Sequence, residues 1–214
     1  MSSNKIKFHE NEILFNGIPN LRQLILADNP IEQIGTLAFD GIESLEFLDL
    51  TKCQLKSLAN LHFIGVGKLK KLFLRNNLIL QNEVKIRING VDNLEMLDLS
   101  KIGLKNFSSL ELNSFKNLKK LNLIDNVFNN FTFDLNGFPM LDELDLKAGL
   151  DRSLGSYKFV FSNNSLIRRL ILEDIKLKSL DDLKIAGANN LEYLDLSHSS
   201  IGNIEQSLQI CCPT

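Results

Sequence analysis

The chain repeats one hydrophobic pattern at a nearly constant interval. Apolar residues at offsets 0, 3 and 5, an LxxLxL pattern, recur with gaps of 24, 24, 25, 24, 23, 26 and 24 residues. Alternation at offsets 3 and 5 is typical of a short strand that sends both side chains to one face. Each copy therefore predicts one strand, followed by a turn and a return segment. The copies begin at Leu21, Leu45, Leu69, Leu94, Leu118, Leu141, Ile167 and Leu191.

Two further apolar positions precede each copy, six and three residues before its start. Phe39 and Ile42 are an example, and the rule is broken only at Asn164. A single copy cannot bury its apolar face alone, whereas stacked copies bury a continuous core. The sequence therefore predicts a solenoid with a parallel β-sheet on one side and a column of Phe, Leu and Ile behind it.

The same spacing sets the expected domain organisation. Extended backwards, it predicts that residues 1–20 form a degenerate N-terminal repeat or cap, and that eight repeats fill residues 21–208. Residues 209–214 are expected to begin a further C-terminal segment. No Pro/Gly/Ser-rich linker interrupts the period, so one continuous array is predicted. The irregular stretch at residues 147–165 predicts a protruding loop.

Three copies, "LRQLILADN", "LKKLFLRNN" and "LKKLNLIDN", spell an LxxLxLxxN core. In this core the chain resembles the leucine-rich repeat family, and its roughly 24-residue period resembles the typical repeat class of Toll-like receptor ectodomains. The resemblance implies an α/β-type solenoid: a right-handed, horseshoe-shaped coil with the parallel sheet on its concave face and irregular or short helical convex segments. It also implies a non-catalytic module that binds a protein or other macromolecular ligand through the concave face.

In that family the ninth repeat position is usually Asn, whose amide bonds backbone groups of neighbouring turns. The resemblance therefore implies a structural ladder with gaps in the second half of the chain, where irregular turns are expected because the backbone groups need other partners. Asn29, Asn77 and Asn126 are the expected ladder members, whereas Ile102, Gly149 and Ile175 interrupt it.

Charges follow the repeat on the outward side of the predicted strands. Equivalent residues on adjacent parallel strands lie about 4.8 Å apart, so residues of one offset form rows. The row at offset 1 alternates in sign without a fault. The outward acids such as Asp49 are expected to pair with flanking cations such as Lys70, Lys71, Lys119 and Arg168, and each such exposed pair contributes at most about 1 kcal/mol and sets register. The offset-1 row itself is continuous along the predicted sheet. Its members are Arg22, Glu46, Lys70, Glu95, Lys119, Asp142, Arg168 and Glu192.

Catalysis finds little support in the acidic residues. Asp49 and Asp98 face outward two strands apart, about 9.6 Å, which is too far to share a proton or a metal ion. The separation overlaps the upper range for an inverting glycosidase, but that chemistry also needs a cleft and a raised pKa. The three histidines, His9, His62 and His198, fall in different repeats. No catalytic residue, cofactor or metal site is predicted.

Apolar residues on the outward side give the sharper functional hypothesis. Phe47, Phe73 and Met96 lie on three consecutive predicted strands, and aromatic anchors ringed by charge are typical of protein interfaces. The alternative is chance, because single exposed apolar residues are common. The predicted partner-binding residues are Phe47, Phe73, Met96, Lys71, Arg75, Asp49 and Asp98.

Composition argues against nucleic acid and membrane partners but does not identify the cellular compartment of the protein. A net charge of -2 gives no field that favours nucleic acid, and no apolar run approaches the roughly 20 residues of a membrane span. The N-terminus lacks the apolar stretch of a secretory signal. Sequons at Asn106, Asn130 and Asn163 permit glycosylation, although two or three are expected by chance.

Cysteines and the C-terminal edge indicate a larger assembly. Cys53 takes the ladder place of the second repeat, where a buried inert thiol is expected. Cys211 and Cys212 resemble the start of a cysteine-rich cap, and adjacent cysteines seldom bridge each other, so disulfides to partners outside this chain are predicted. An uncapped edge would allow a homo- or hetero-dimer. We expect an extracellular or cell-surface receptor fragment; the alternative is a cytoplasmic leucine-rich repeat scaffold or adaptor.

Overall fold

The computed structural model describes residues 12–14, 17–32, 36–39, 42–58, 61–77, 79, 85–107, 110, 115–126, 128, 132–148, 157–161, 166–180 and 183–203. Within these ranges the chain forms seventeen short β-strands and no α-helix. The strands stack in two layers, with the apolar core between them.

One layer is a parallel sheet of eight strands that contains one strand from each predicted repeat. The order of the strands in the sheet follows the order in the chain, so each coil adds one strand beside the last. This arrangement confirms the predicted solenoid. The strands are β2 (Gln23–Ile25), β4 (Phe47–Asp49), β6 (Lys71–Phe73), β8 (Met96–Asp98), β9 (Lys120–Asn122), β11 (Glu143–Asp145), β13 (Arg169–Ile171) and β16 (Tyr193–Asp195).

The register of this sheet confirms the predicted rows. Leu24 pairs with Leu48, which pairs in turn with Leu72, and all three leucines are buried. The offset-1 row is also continuous: the Glu46 N–H donates to the Arg22 carbonyl at 2.9 Å, and the Lys70 N–H donates to the Glu46 carbonyl at 2.9 Å. Outward side chains of equivalent residues therefore lie side by side on what we call the strand face.

The return segments form the second layer, and here the expectation of irregular or short helical segments is wrong for the described residues. The return segments carry apolar residues at alternate positions, as at Leu183 and Ile185, which favours strands that turn one side inward. The strands are β1 (Glu12–Leu14), β3 (Thr36–Ala38), β5 (Leu61–Ile64) and β7 (Ile88–Asn89) in one sheet, β10 (Thr132–Asp134), β12 (Tyr157–Val160) and β15 (Leu183–Ala186) in another, and the pair β14 (Lys176–Ser179) and β17 (Ser200–Asn203).

Aromatic rings fill much of the space between the two layers. Phe39 stacks on Phe63 of the next coil with ring centroids 6.3 Å apart, and Phe133 stacks on Phe159 at 4.8 Å. These rings are almost wholly buried, as are the inward leucines of the main sheet. Burial of apolar surface between stacked coils is therefore the main stabilising term, at roughly 25 cal/mol per Å².

Close stacking of the return layer depends on glycine at particular points. Gly90 has φ +79°, and a Cβ added there would lie 1.9 Å from the Phe63 carbonyl oxygen of the preceding coil. Gly187 has φ +81°, and its Cβ would lie 2.1 Å from the Phe161 carbonyl oxygen. No L side chain fits at either position without moving one coil away from the next.

The described residues bear on the predicted domain boundaries at one point, near the N-terminus. β1 pairs with β3 in register, Glu12 opposite Thr36, which is one period of 24 residues. The return layer therefore already exists at residues 12–14, before the first LxxLxL copy. The division into residues 1–20, 21–208 and 209–214 stays a prediction. The protruding loop expected at residues 147–165 is wrong for Tyr157–Val160, which form β12 with Tyr157 and Phe159 buried, and residues 149–156 and 162–165 lie outside the described residues.

Candidate functional site

Asp49 and Asp98, which lie between two inward leucines, are the last residues of their strands. The Asp49 carboxylate accepts a hydrogen bond from the Thr51 N–H at 2.9 Å. The Asp98 carboxylate accepts from both the N–H and the hydroxyl of Ser100, at 2.9 and 2.6 Å, and Asp98 is only 5% exposed. Such side-chain turns lead the chain out of a strand. Asp49 and Asp98 therefore have a structural role, and Asp98 offers little surface to a partner.

The same turn recurs along the sheet. Asn122, Asp145 and Asp195 accept hydrogen bonds from backbone N–H groups two residues later, at 3.1, 3.0 and 2.9 Å. Burial is the main cause that raises the pKa of the Asp145 carboxyl, and the Glu143 and Glu173 carboxylates add to it. This role was missed from the sequence, although Asp or Asn at the last strand position before a turn is a usable signal.

The asparagines at the ninth repeat position bond the backbones of neighbouring coils. Asn77 Nδ2 donates to the carbonyls of Leu50 and Leu74 at 2.9 and 2.7 Å, and its Oδ1 accepts from the Leu55 N–H at 3.1 Å. Asn29 and Asn126 are likewise 0% exposed. The ladder satisfies buried backbone groups inside the turns, so these residues serve the scaffold.

The turns at Ile102 and Ile175 are regular, contrary to expectation. The Ile102 N–H donates to Asn126 Oδ1 at 3.2 Å, and the Ile175 N–H donates to Ser199 Oγ at 3.2 Å, so the next coil supplies the missing partner. Gly149 lies outside the described residues. The residue before the ladder position has a positive φ of 51 to 64° in each of the eight copies: Asp28, Lys52, Asn76, Lys101, Asp125, Ala148, Asp174 and His198.

Cys53 is a buried free thiol, as expected. It is 0% exposed, and its Sγ donates to the Leu26 carbonyl at 3.3 Å, in the manner of a ladder asparagine. Burial raises the pKa of the thiol to about 12. A thiol that stays protonated and inaccessible is a poor nucleophile.

Four apolar side chains form a continuous line across the first four strands of the strand face. The apolar residue is the last residue of one strand and the first residue of the next in turn, so each is a diagonal neighbour of the one on the adjacent strand. We call this set the apolar zigzag: Ile25, Phe47, Phe73 and Met96. The Phe47 and Phe73 ring centroids are 5.1 Å apart. Ile25 is 42% exposed and the other three are half-buried. The predicted binding set omitted Ile25, whose place beside Phe47 was the available signal.

Cations surround the apolar zigzag without acidic partners. Lys70, Lys71 and Arg75 are exposed on or beside β6. In the described part of the chain, none of the three forms an ion pair with a carboxylate. Lys70 and Lys71 thus differ from the paired cations that the sequence predicted.

The last four strands carry a row of charges that satisfy one another. Glu143 Oε2 bridges Lys120 Nζ at 3.3 Å and Arg169 Nε at 3.2 Å. The Arg169 guanidinium lies 4.2 Å above the centre of the Tyr193 ring, and the Tyr193 hydroxyl donates to Asp195 Oδ2 at 3.0 Å. The row therefore runs unbroken from β9 to β16.

The offset-1 row adds two further pairs. The Arg168 guanidinium donates two hydrogen bonds to the Asp142 carboxylate, of 2.6 and 2.8 Å. Lys119 Nζ lies 2.9 Å from Glu95 Oε2. The hydrogen bond from Lys119 lowers the pKa of the Glu95 carboxyl, and that from Arg168 lowers the pKa of Asp142. Lys119 and Arg168 are therefore paired as expected, but with Glu95 and Asp142 rather than with aspartates equivalent to Asp49.

An open groove of about 660 Å³ lies at the edge of the sheet beside these pairs. Its walls include Met140 and Leu166, which are 45% and 48% exposed, and the Arg168–Asp142 pair. Lys119, Asp142 and Arg168 in the groove are already held in ion pairs.

The described residues contain no group of three or more His, Cys, Asp or Glu side chains that could hold a metal ion. His62 and His198 are exposed and belong to different coils, and His9 lies outside the described ranges.

The fold defines the class as a parallel-strand repeat solenoid. A family model described as leucine rich repeat matches residues 2–55 and, again, residues 19–79. These matches support a leucine-rich repeat protein, a type of chain that suggests a protein-interaction module, and the strand register continues the same period to residue 195. No curated protein matches the chain.

The remaining predicted sites are only partly covered. Asn106 is exposed, as an acceptor for a glycan must be. Asn130, Asn163, Cys211 and Cys212 lie outside the described residues. Nowhere in the described ranges does a helix have the length and apolar character needed to cross a membrane.

Proposed function

We propose that this protein is a non-catalytic recognition module that binds a protein ligand through its strand face, as part of a cell-surface or secreted Toll-like leucine-rich repeat receptor. The observation that carries the proposal is the apolar zigzag on the strand face of a leucine-rich repeat coil. The coarser part, a protein-interaction module, follows from the repeat family; the Toll-like class is supported by the repeat length.

The geometry favours Phe47 and Phe73 as the centre of the contact. Their rings touch each other and are half-buried in the free protein, so they are already partly ordered. Anchors that lose little side-chain freedom on binding contribute more of their buried area to affinity. The surrounding charges of β4, β6 and β8 then form a polar rim of the kind seen at protein interfaces.

The test is a double substitution, Phe47→Ala with Phe73→Ala. The probe is a set of peptides selected on the wild-type protein from a random 12-residue display library. We expect affinity for these peptides to fall at least about 30-fold, because two hot-spot anchors are removed. Titration calorimetry measures the affinity, and urea unfolding checks that the variant is folded.

The matched control removes apolar side chains from the other half of the strand face. Ile171→Ala with Tyr193→Ala takes two outward residues from β13 and β16 and should leave peptide affinity within about twofold. If the Phe47/Phe73 variant binds as tightly as the wild type, or if the control loses equal affinity, the proposed site is wrong.

Secretion separates the receptor from an intracellular scaffold. Expressed in a secretory host behind a heterologous signal, the receptor should carry a glycan at Asn106, visible as a mass that disappears in the Asn106→Gln variant. The same preparation should show Cys211 or Cys212 in a disulfide. An unglycosylated protein with free thiols would favour the scaffold or adaptor in the cytoplasm.

A further inference from the structure

We propose that the segment bound at the apolar zigzag is acidic: a protein segment in which apolar side chains that cover Phe47 and Phe73 are flanked by carboxylates that meet Lys70, Lys71 and Arg75. This inference rests on the proposed function and adds the chemistry of the partner. It follows from the distribution of charge around the apolar zigzag.

One coil carries an excess of positive charge. Residues 68–75 read KLKKLFLR, with four cations and no acid, and all four cationic side chains are exposed. Phe73 lies within this stretch, and Phe47 and Met96 lie on the strands to either side. The centre of the apolar surface is therefore also the centre of the positive charge.

The neighbouring acids offset these cations only in part. Asp98 is buried against Ser100, and the Asp49 carboxylate is bonded to the Thr51 backbone. Glu46 and Glu95 lie on either side of Lys70 in the register; Glu95 forms its ion pair with Lys119, and the charges of Lys70 and Lys71 add to the effect of Lys119 in lowering the pKa of Glu95. Cations exposed without a partner are available to complementary charge, which raises association rates and selects partners.

The same pattern favours a protein over a phosphate polymer. Phosphate backbones and anionic membranes are best met by cations spread over many coils. Here the coils to either side contribute Glu46, Asp49 and Glu95, and the whole chain has a net charge of -2. A short segment that mixes apolar side chains with a few carboxylates matches a surface of this size and mixture.

The experiment uses the same 12-residue display library on the full chain. Peptides selected on the wild-type protein should contain more Asp and Glu than the input library. The charge-reversed variant Lys70→Glu, Lys71→Glu, Arg75→Glu should bind the selected peptides at least about tenfold more weakly, with a weaker dependence on salt. A neutral variant with Gln at all three positions should fall between them.

The matched control reverses three exposed lysines away from the strand face. Lys105→Glu, Lys158→Glu and Lys184→Glu change the net charge by the same amount. This control should keep affinity within about twofold of the wild type. A loss equal to that of the β6 variant would mean that net charge alone is responsible, and would overturn the proposal.

Other outcomes overturn the inference in distinguishable ways. Selected peptides without an acidic excess that still depend on Phe47 and Phe73 would refute the acidic partner alone. Peptides that ignore Phe47 and Phe73 would refute the proposed function as well. Binding of single-stranded 20-nucleotide DNA or of phosphatidylserine vesicles that depends on Lys70, Lys71 and Arg75, at affinity above that of the peptides, would replace the protein partner by a polyanion.

Discussion

The first four strands of the main sheet and the last four share one backbone but carry different surfaces. On β2, β4, β6 and β8 the outward side includes the apolar zigzag and cations without acidic partners. On β9, β11, β13 and β16 the outward side is a chain of ion pairs that ends at Tyr193. The first half has apolar surface and charge to offer, whereas the second half has satisfied its own charges.

This difference separates the residues of each repeat that maintain the fold from the residues that are available for binding. The inward leucines and the turn geometry are common to all eight copies, since the copies stack only if each presents the same edge to the next. The outward positions are freer to differ because they lie outside the packed core, although some of them form ion pairs between coils. Recognition is therefore expected where outward side chains lack partners within the chain, and substitutions of the glycines that allow close stacking should destabilise both halves even though binding tests of the two halves differ.

The largest expected effect tests the shared backbone in both halves. Gly90→Ala places a Cβ against the Phe63 carbonyl, and Gly187→Ala places one against the Phe161 carbonyl. We expect each substitution to lower the free energy of unfolding by about 4 kcal/mol, from the positive φ and from overpacking between coils. Urea unfolding measures both.

Gly67→Ala is the matched control, because nothing lies within 4 Å of its added Cβ and its φ is not positive. Its stability should stay within about 0.5 kcal/mol of the wild type. A large loss at Gly90 with none at Gly187 would show that the halves stack differently, and would contradict the common backbone.

The next effect concerns the ladder, which is stronger at Asn126 than at Ser199, near the end of the described chain. Asn126 donates to the carbonyls of Leu99 and Leu123 and accepts from the N–H groups of Ile102 and Leu104. Asn126→Ala leaves these buried groups without partners and should cost about 3 kcal/mol. Ser199→Ala should cost less than about 1 kcal/mol, because Ser199 is half-buried and its bonds are 3.2 to 3.5 Å long. Equal costs by urea unfolding would refute this ranking.

Leucine spacing was enough to predict the eight strands, their parallel order and their register. Alternation fixes which side chains point inward, and the near-constant period fixes which residues meet on adjacent coils. The outward rows followed from the same rule, so Phe47, Phe73 and Met96 could be placed together before any coordinates. Ile25 could have been added to this set by applying the same rule to the neighbouring strand, β2.

Contacts that bridge coils could not be predicted in this way. The turns at Ile102 and Ile175 are regular because Asn126 and Ser199, 24 residues later, reach back to them. Likewise, Lys119 forms an ion pair with Glu95, whereas Lys70 forms no ion pair with a described acid, although both lysines belong to the alternating row. Which pairs form depends on side-chain reach and on competing hydrogen bonds, and neither is visible in the spacing of charges.

The smallest expected effect uses pH to separate the two halves. The hydrogen bond from Arg168 lowers the pKa of Asp142, so the pair stabilises the fold above the ordinary carboxyl pKa and is lost as pH falls through the depressed value. Arg168→Met should therefore be less stable than the wild type at pH 7, and the difference should shrink at a pH below the ordinary carboxyl pKa, where Asp142 becomes protonated. Lys70→Met, which breaks no ion pair in the described residues, should show a smaller pH-dependent difference. Urea midpoints at both pH values measure this; an Arg168→Met loss that persists at low pH would mean that Arg168 acts through packing of its aliphatic stem rather than through its charge.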